Sequence, residues 1–323
     1  MSRAFVTGGT GFVGSHLVEA LLERGYEVRC LVRKEPKWLE SLPVAVVHGD
    51  LFDEGALREG MDGVDVVYHV AGMTRAPNRD VLDLVNVDGT LNVLDAANEM
   101  VVGKVLVTSS IAAVGPSGNH PLTEEAPLKP ISSYGRSKAE MERQIVERMD
   151  GTPVVVIRPS AAYGPREADI FTLIKTADKQ HILPIVGDGN VAQLDLVHVR
   201  DLVNGMIAAA ESKATSGRTY FLGGPRGYSW DEIRTAIRVA LGHWALSINV
   251  PRILVGVIGA ASEGVGKLLG KYPPLNREKA REAKASWLVS SDRARTDFGY
   301  EPSVSLEEGM IETVRWYREN GWL

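Results

Sequence analysis

Thr7-Gly8-Gly9-Thr10-Gly11-Phe12-Val13-Gly14 decides how the start of this chain folds. Arg3 to Thr7, just before it, is a short strand-like run. Ser15 to Arg24, just after it, carries Leu17, Val18, Leu21 and Leu22 at helical spacing. The glycines therefore sit on a strand-to-helix turn. Glycines at 8, 11 and 14 allow a tight turn, close approach of backbone to a pyrophosphate, and close packing of helix on strand. Free N–H groups at the helix start face the anion. Gly8, Thr10, Gly11, Phe12 and Val13 are thus expected against a bound dinucleotide.

The next strand, Glu27 to Arg33, ends in Arg33-Lys34, where a site for NAD usually places Asp or Glu on the ribose 2′-hydroxyl. Two cations there suit a 2′-phosphate, so NADP(H) is favoured, with NAD(H) as the alternative. Farther on, Val44–His48, Val64–Val70, Lys104–Thr108 and Val154–Arg158 read as short apolar strands. Glu54–Gly60, Leu91–Met100 and Tyr134–Met149 read as the helices between them. Such alternation predicts an α/β fold, a Rossmann-type doubly wound parallel sheet with a smaller, mostly helical C-terminal substrate domain. Turn residues at Tyr163-Gly164-Pro165 break the pattern, and Gln193 to Val199 reads as a strand returning to the sheet. The expected division is 1–162 with 190–222 for the dinucleotide, and 163–189 with 223–323 for the substrate.

Composition excludes several classes. The chain has 323 residues, a net charge of −5 and no basic block, so nucleic acid is not an expected partner. Cys30 is the single cysteine and lies in an apolar strand, which excludes an internal disulfide and suits a cytoplasmic setting. No secretory leader is evident, so the mature chain is expected to start near Met1. The longest apolar run, Ile253 to Ala261, is shorter than the roughly 20 residues a spanning helix needs. A buried or lid helix is expected there and no stable membrane insertion, with a membrane-surface contact as the alternative. Seven histidines, His16, His48, His69, His120, His181, His198 and His243, show no ligand spacing, so no metal site is expected. His69 reads as a hydrogen-bonded packing residue rather than a cofactor contact. Trp316-Tyr317-Arg318 reads as part of a terminal helix packed on the core.

Open α/β sheets bind ligands at the carboxyl ends of their strands. Asp50 and Leu51 lie at one such end, where the carboxylate can accept the adenine amino group. At another, Val70, Ala71 and Gly72 let backbone approach phosphate and ribose; a plain turn is the alternative in both places. Tyr134 and Lys138 are four apart on a helix and share a face. A phenol titrates near pH 10 in water, and a nearby ammonium is expected to lower that value and make Tyr134 a general acid/base. A serine from Thr108-Ser109-Ser110 would bond the substrate oxygen.

At this point the chain resembles an extended short-chain dehydrogenase/reductase along nearly its whole length. The matching segments are Thr7 to Gly14, Asn86-Val87-Asp88-Gly89-Thr90, Thr108-Ser109-Ser110 and Tyr134-Gly135-Arg136-Ser137-Lys138. Two more follow, Arg158-Pro159-Ser160-Ala161-Ala162-Tyr163-Gly164-Pro165 and Val197-His198-Val199-Arg200-Asp201. The resemblance implies Ser110, Tyr134 and Lys138 as the catalytic set, with Ser109 as the fallback. It implies Asn86, Thr108 and Pro159 near the cofactor, Lys138 on the nicotinamide ribose, and a homodimer built on the helices near 91–100 and 134–149.

Relatives that act on nucleotide sugars commonly carry an Arg where this chain has Leu194, and an Asn where it has Ser160-Ala161. Leu194 cannot bind a diphosphate, although Arg166, Arg200 or Arg226 could substitute. Val28-Arg29-Cys30-Leu31-Val32-Arg33 and Ile157-Arg158-Pro159-Ser160 more closely resemble dihydroflavonol-reductase-like and 3β-hydroxysteroid-dehydrogenase-like members. The expected activity is therefore NAD(P)(H)-dependent interconversion of a carbonyl and a secondary alcohol on a small, fairly apolar substrate. Trp244, Ile253 to Ile258, Tyr272 and Trp287 are candidates for its pocket, or equally for an ordinary core. The alternatives are a nucleotide-sugar epimerase or dehydratase and, in another class, a non-catalytic dinucleotide sensor.

Overall fold

The computed structural model describes residues 2–148, 151–186, 192–251, 254 and 277–323. Seven strands form one parallel sheet: β1 (Arg3–Thr7), β2 (Glu27–Val32), β3 (Ala45–His48), β4 (Val66–His69), β5 (Lys104–Thr108), β6 (Val154–Pro159) and the later Arg218–Leu222. Alternate side chains of each strand go to opposite faces. Ala4 and Val6 pack with Leu17, Leu21, Leu202 and Met206, while Phe5 packs on the other face with Leu57 and Met61. Helices Phe12–Glu23 and Val199–Glu211 cover the first face; Glu54–Met61, Gly89–Glu99 and Ser133–Glu147 cover the second.

Three further strands, β7 (Ala161–Tyr163), β8 (Ile182–Val186) and β9 (Gln193–His198), precede Arg218–Leu222, which is β10; β11 (Gly227–Ser229) and β12 (Leu246–Val250) follow it. The large sheet runs β10-β6-β5-β4-β1-β2-β3, so the chain reverses direction across the sheet between β1 and β4. The strand expected at 193–199 does not return to it. β9 instead lies between β11 and β7 in a small sheet of its own, and β10 takes the edge beside β6. Period-2 apolarity marks a strand but leaves its partner open, and here the backbone of β9 is paired by two other short strands.

The C-terminal part adds helices Trp230–Leu241, Arg277–Glu282, Asp292–Phe298 and Leu306–Glu319. Ser229 with Glu232 and Ser305 with Glu308 form reciprocal caps that start two of them. Their apolar faces, with Ile233, Ile237, Met310 and Val314, close a separate core that includes Tyr163 and Tyr317. No described helix is long and apolar enough to cross a membrane. All of the expected apolar run at 253–261 except Leu254, the helix end at Met149, and Tyr272 lie outside the described residues.

Candidate active site

A cleft of about 590 Å³ opens where the chain reverses between β1 and β4. Its floor is the glycine turn. Gly8 has φ +79°, and a Cβ there would sit 2.5 Å from the Ala71 nitrogen; one on Gly14 would sit 2.1 Å from the Gly8 carbonyl oxygen. Only hydrogen fits at either position, which leaves a concave backbone cradle beside the first-turn N–H groups of the Phe12–Glu23 helix. Gly8, Thr10, Gly11, Phe12, Val13, Val70, Ala71 and Gly72 all line the cleft. Thr108 also lines it, its hydroxyl buried without a partner among the described residues. This cradle and unsatisfied hydroxyl fit a dinucleotide.

At one end lie Arg33, Asp50 and Leu51. The Asp50 carboxylate accepts the Phe52 N–H at 2.8 Å, and Arg33 is exposed. Lys34, expected beside it, is exposed outside the lining, because β2 ends at Val32 and the chain turns away after Arg33.

At the other end Thr108, Ser110, Tyr134, Lys138 and Pro159 converge. The Ser110 hydroxyl faces the Tyr134 phenol, where it favours the phenolate, and accepts the Ala112 N–H at 3.1 Å. Ser109 also lines the cleft, but its hydroxyl donates to the buried Glu142 carboxylate. Lys138 donates to the Thr108 carbonyl at 2.8 Å, and burial lowers its ammonium to about 8 although the Glu142 charge opposes the shift.

The phenol departs from expectation. Tyr134 is pushed up to about 12, chiefly by burial and further by the Glu282 charge, with the Ser110 hydroxyl acting in the opposite sense. Sharing a helical face with Lys138 is not enough, since desolvation of the phenolate dominates.

Asn86 is buried and does not itself line the cleft, but it lies against Gly72 and Met73, which do. Its Oδ1 accepts the Met73 N–H at 2.7 Å, and its amide donates to the Met73 carbonyl and the Ser137 hydroxyl. It clamps the loop that follows Gly72. His69 lies between Thr7 and Thr90, at 2.7 and 2.8 Å. Thr90 gives its own proton to the Asn86 carbonyl, so His69 carries its hydrogen on Nε2 and accepts from Thr7 on Nδ1. Burial lowers this imidazole to about 3. Ser160, where nucleotide-sugar relatives tend to carry Asn, also lines the cleft, as do Met73, Thr74 and Leu202, which belong to no motif read in the sequence.

A model of the NAD-dependent epimerase/dehydratase family matches residues 4–223. The chain belongs to that family. It is an extended short-chain dehydrogenase/reductase, and the family depends on a nicotinamide dinucleotide. Its relatives include a ceramide reductase of Caulobacter vibrioides, 30% identical across 98% of this chain and 95% of the relative. Another is a 2-alkyl-3-oxoalkanoate reductase of Stenotrophomonas maltophilia, 29% identical across 95% and 97%. Among solved structures, a dTDP-glucose 4,6-dehydratase of Streptomyces venezuelae superposes with TM-score 0.80 at 27% identity, across 99% and 98%.

Within this epimerase/dehydratase scaffold, the arginines that could stand in for Leu194 are engaged elsewhere. Arg166 pairs with Glu19 at 2.7 Å and stacks on Trp38, Arg200 pairs with Glu312 and Arg226 with Glu232. None of the three lines the cleft. Leu194 itself packs in apolar surroundings with Trp287, Ile111, Val114 and Phe221. Trp244, by contrast, is 67% exposed and belongs to no such wall. Among the described residues no group of His, Cys, Asp or Glu could hold a metal ion.

Proposed function

We propose that the chain is an NADP(H)-preferring reductase that interconverts a carbonyl and a secondary alcohol on a small, fairly apolar substrate. The observation that carries this reading is the meeting of the Ser110 and Tyr134 hydroxyls beside Lys138 in one cleft. A bound nicotinamide would supply the hydride, held by the glycine turn, Thr108, Lys138 and Pro159, with Arg33 toward a 2′-phosphate.

Tyr134 keeps its proton at neutral pH, which suits a group that hands a proton to a carbonyl oxygen becoming an alkoxide. Ser110, whose oxygen already accepts from Ala112, can turn its hydrogen from the phenol to steady that same oxygen. The Lys138 ammonium favours negative charge on the phenol once its proton has gone. The engaged arginines and Leu194 support an uncharged substrate. The ceramide and oxoalkanoate reductases among the relatives agree with that class.

The likeness to the dTDP-glucose dehydratase favours a second reading, in which the hydride returns to the same molecule and a nucleotide-sugar epimerase or dehydratase keeps its NAD. Purified chain is assayed with NADPH and NADH against apolar ketones and secondary alcohols, beside Tyr134→Phe. Turnover lost by at least about 100-fold with NADPH affinity kept is the expected result. Undiminished turnover in Tyr134→Phe sinks the acid/base role, and NAD retained through purification moves the second reading to the front.

A further inference from the structure

Two carboxylates one helical turn apart, Glu278 and Glu282, approach the start of the helix that carries Tyr134. Glu278 accepts the Ser133 N–H at 2.8 Å, the Ser133 hydroxyl at 2.9 Å and the Arg136 guanidinium at 2.7 Å. Arg136 donates to the Ser133 hydroxyl as well, at 2.8 Å, so the three residues form a closed set. The Ser133 N–H is one of those a helix leaves unpaired at its start, and a carboxylate there also meets the positive end of the helix. On the far side of Tyr134, Ser132 accepts the Gly135 N–H at 3.2 Å. The tyrosine is thus bracketed by two side-chain anchors, one of them contributed from 145 residues away in the sequence.

Burial alone would push the Glu278 carboxyl up, but the bonds from Ser133 and Arg136 outweigh it and hold it below the usual range. It stays ionised. Glu282 directs its charge at the phenol itself. Its carbonyl accepts the Trp287 indole N–H at 2.9 Å, and Trp287 packs against Ile111 and Val114, just after Ser110. The Arg277–Glu282 helix is therefore braced at both ends against the segments that present Tyr134 and Ser110.

We propose that Glu278 is a positioning residue, fixing the first turn of the Ser133–Glu147 helix so that the Tyr134 hydroxyl meets Ser110, and joining the C-terminal region to the acid/base. The proposal rests on the reading of Tyr134 as that acid/base.

The test compares full-length Glu278→Ala and Glu278→Gln with wild type by three readouts. Amide exchange is followed in the 130–140 segment, the Tyr134 Cζ resonance is assigned by its loss in Tyr134→Phe, and NADPH-dependent turnover is measured on the ketone panel. In Glu278→Ala, exchange at 133–135 is expected to accelerate on the order of tenfold, with the Tyr134 resonance moved. Turnover falls while NADPH affinity holds, and Glu278→Gln, which keeps an acceptor for the Ser133 N–H, lies between. Exchange and resonance identical to wild type overturn the proposal, as does a changed resonance with unchanged turnover. Should wild type itself turn over nothing on the panel, exchange and resonance still decide the anchoring, and only the acid/base reading fails.

Discussion

Arg158 and Glu142 form a forked ion pair inside the protein, with contacts of 3.0 and 2.6 Å and each residue only 5% exposed. The pair joins β6 to the helix that bears Tyr134 and Lys138, and Ser109 adds a third bond to the same carboxylate. Two charges out of water hold only while each satisfies the other. Arg158→Met strands a buried carboxylate and should cost about 3–5 kcal/mol in urea unfolding. A loss below about 1 kcal/mol would show that water reaches the pair.

His69 gives a pH dependence with a definite sign. Its folded value is lowered to about 3 from 6.5, chiefly by burial and further by the Lys138 charge. Between those values the unfolded chain takes up a proton that the folded chain refuses, so stability falls as pH drops from 6.5 toward 3. His69→Gln removes that contribution. Its stability-against-pH slope should be shallower than wild type by about 1.4 kcal/mol per pH unit in this window, measured by urea unfolding from pH 4 to 6.5. Equal slopes would mean the imidazole is solvated.

The glycine turn ranks its own substitutions. A Cβ at position 14 meets the Gly8 carbonyl oxygen at 2.1 Å, whereas one at position 11 approaches the same oxygen at 3.3 Å. Backbone must move in the first case and need shift only by tenths of an ångström in the second. Gly14→Ala should therefore abolish dinucleotide binding in a fluorescence titration, and Gly11→Ala should weaken it. The reverse order would mean that a ligand, not the fold, requires the glycines.

Arg33 lines the cleft beside Gly49 and Asp50, and no carboxylate pairs with it among the described residues. Arg33→Ala should weaken NADPH about tenfold, leave NADH within twofold, and reduce the salt dependence of NADPH binding. Equal losses for both nucleotides would assign Arg33 to the adenine side in general and remove the preference for a 2′-phosphate.

The sequence by itself determined the elements and the turn. The glycine run, the alternation of short apolar strands with helices, and the spacing of Tyr134 and Lys138 are local patterns, and local backbone geometry makes them legible. It also placed most of the cleft, because an open parallel sheet binds at the carboxyl ends of its strands. The tertiary structure decided which distant groups meet. β9 pairs with β7 and β11, Asn86 turns to Met73, and Glu278 reaches Ser133 across 145 residues. Arg166, Arg200 and Arg226 are each committed to a carboxylate. Tyr134 shows the difference in one residue. Its spacing from Lys138 is a property of the helix, but its proton affinity is set by the desolvation that packing imposes, and packing draws on the whole chain.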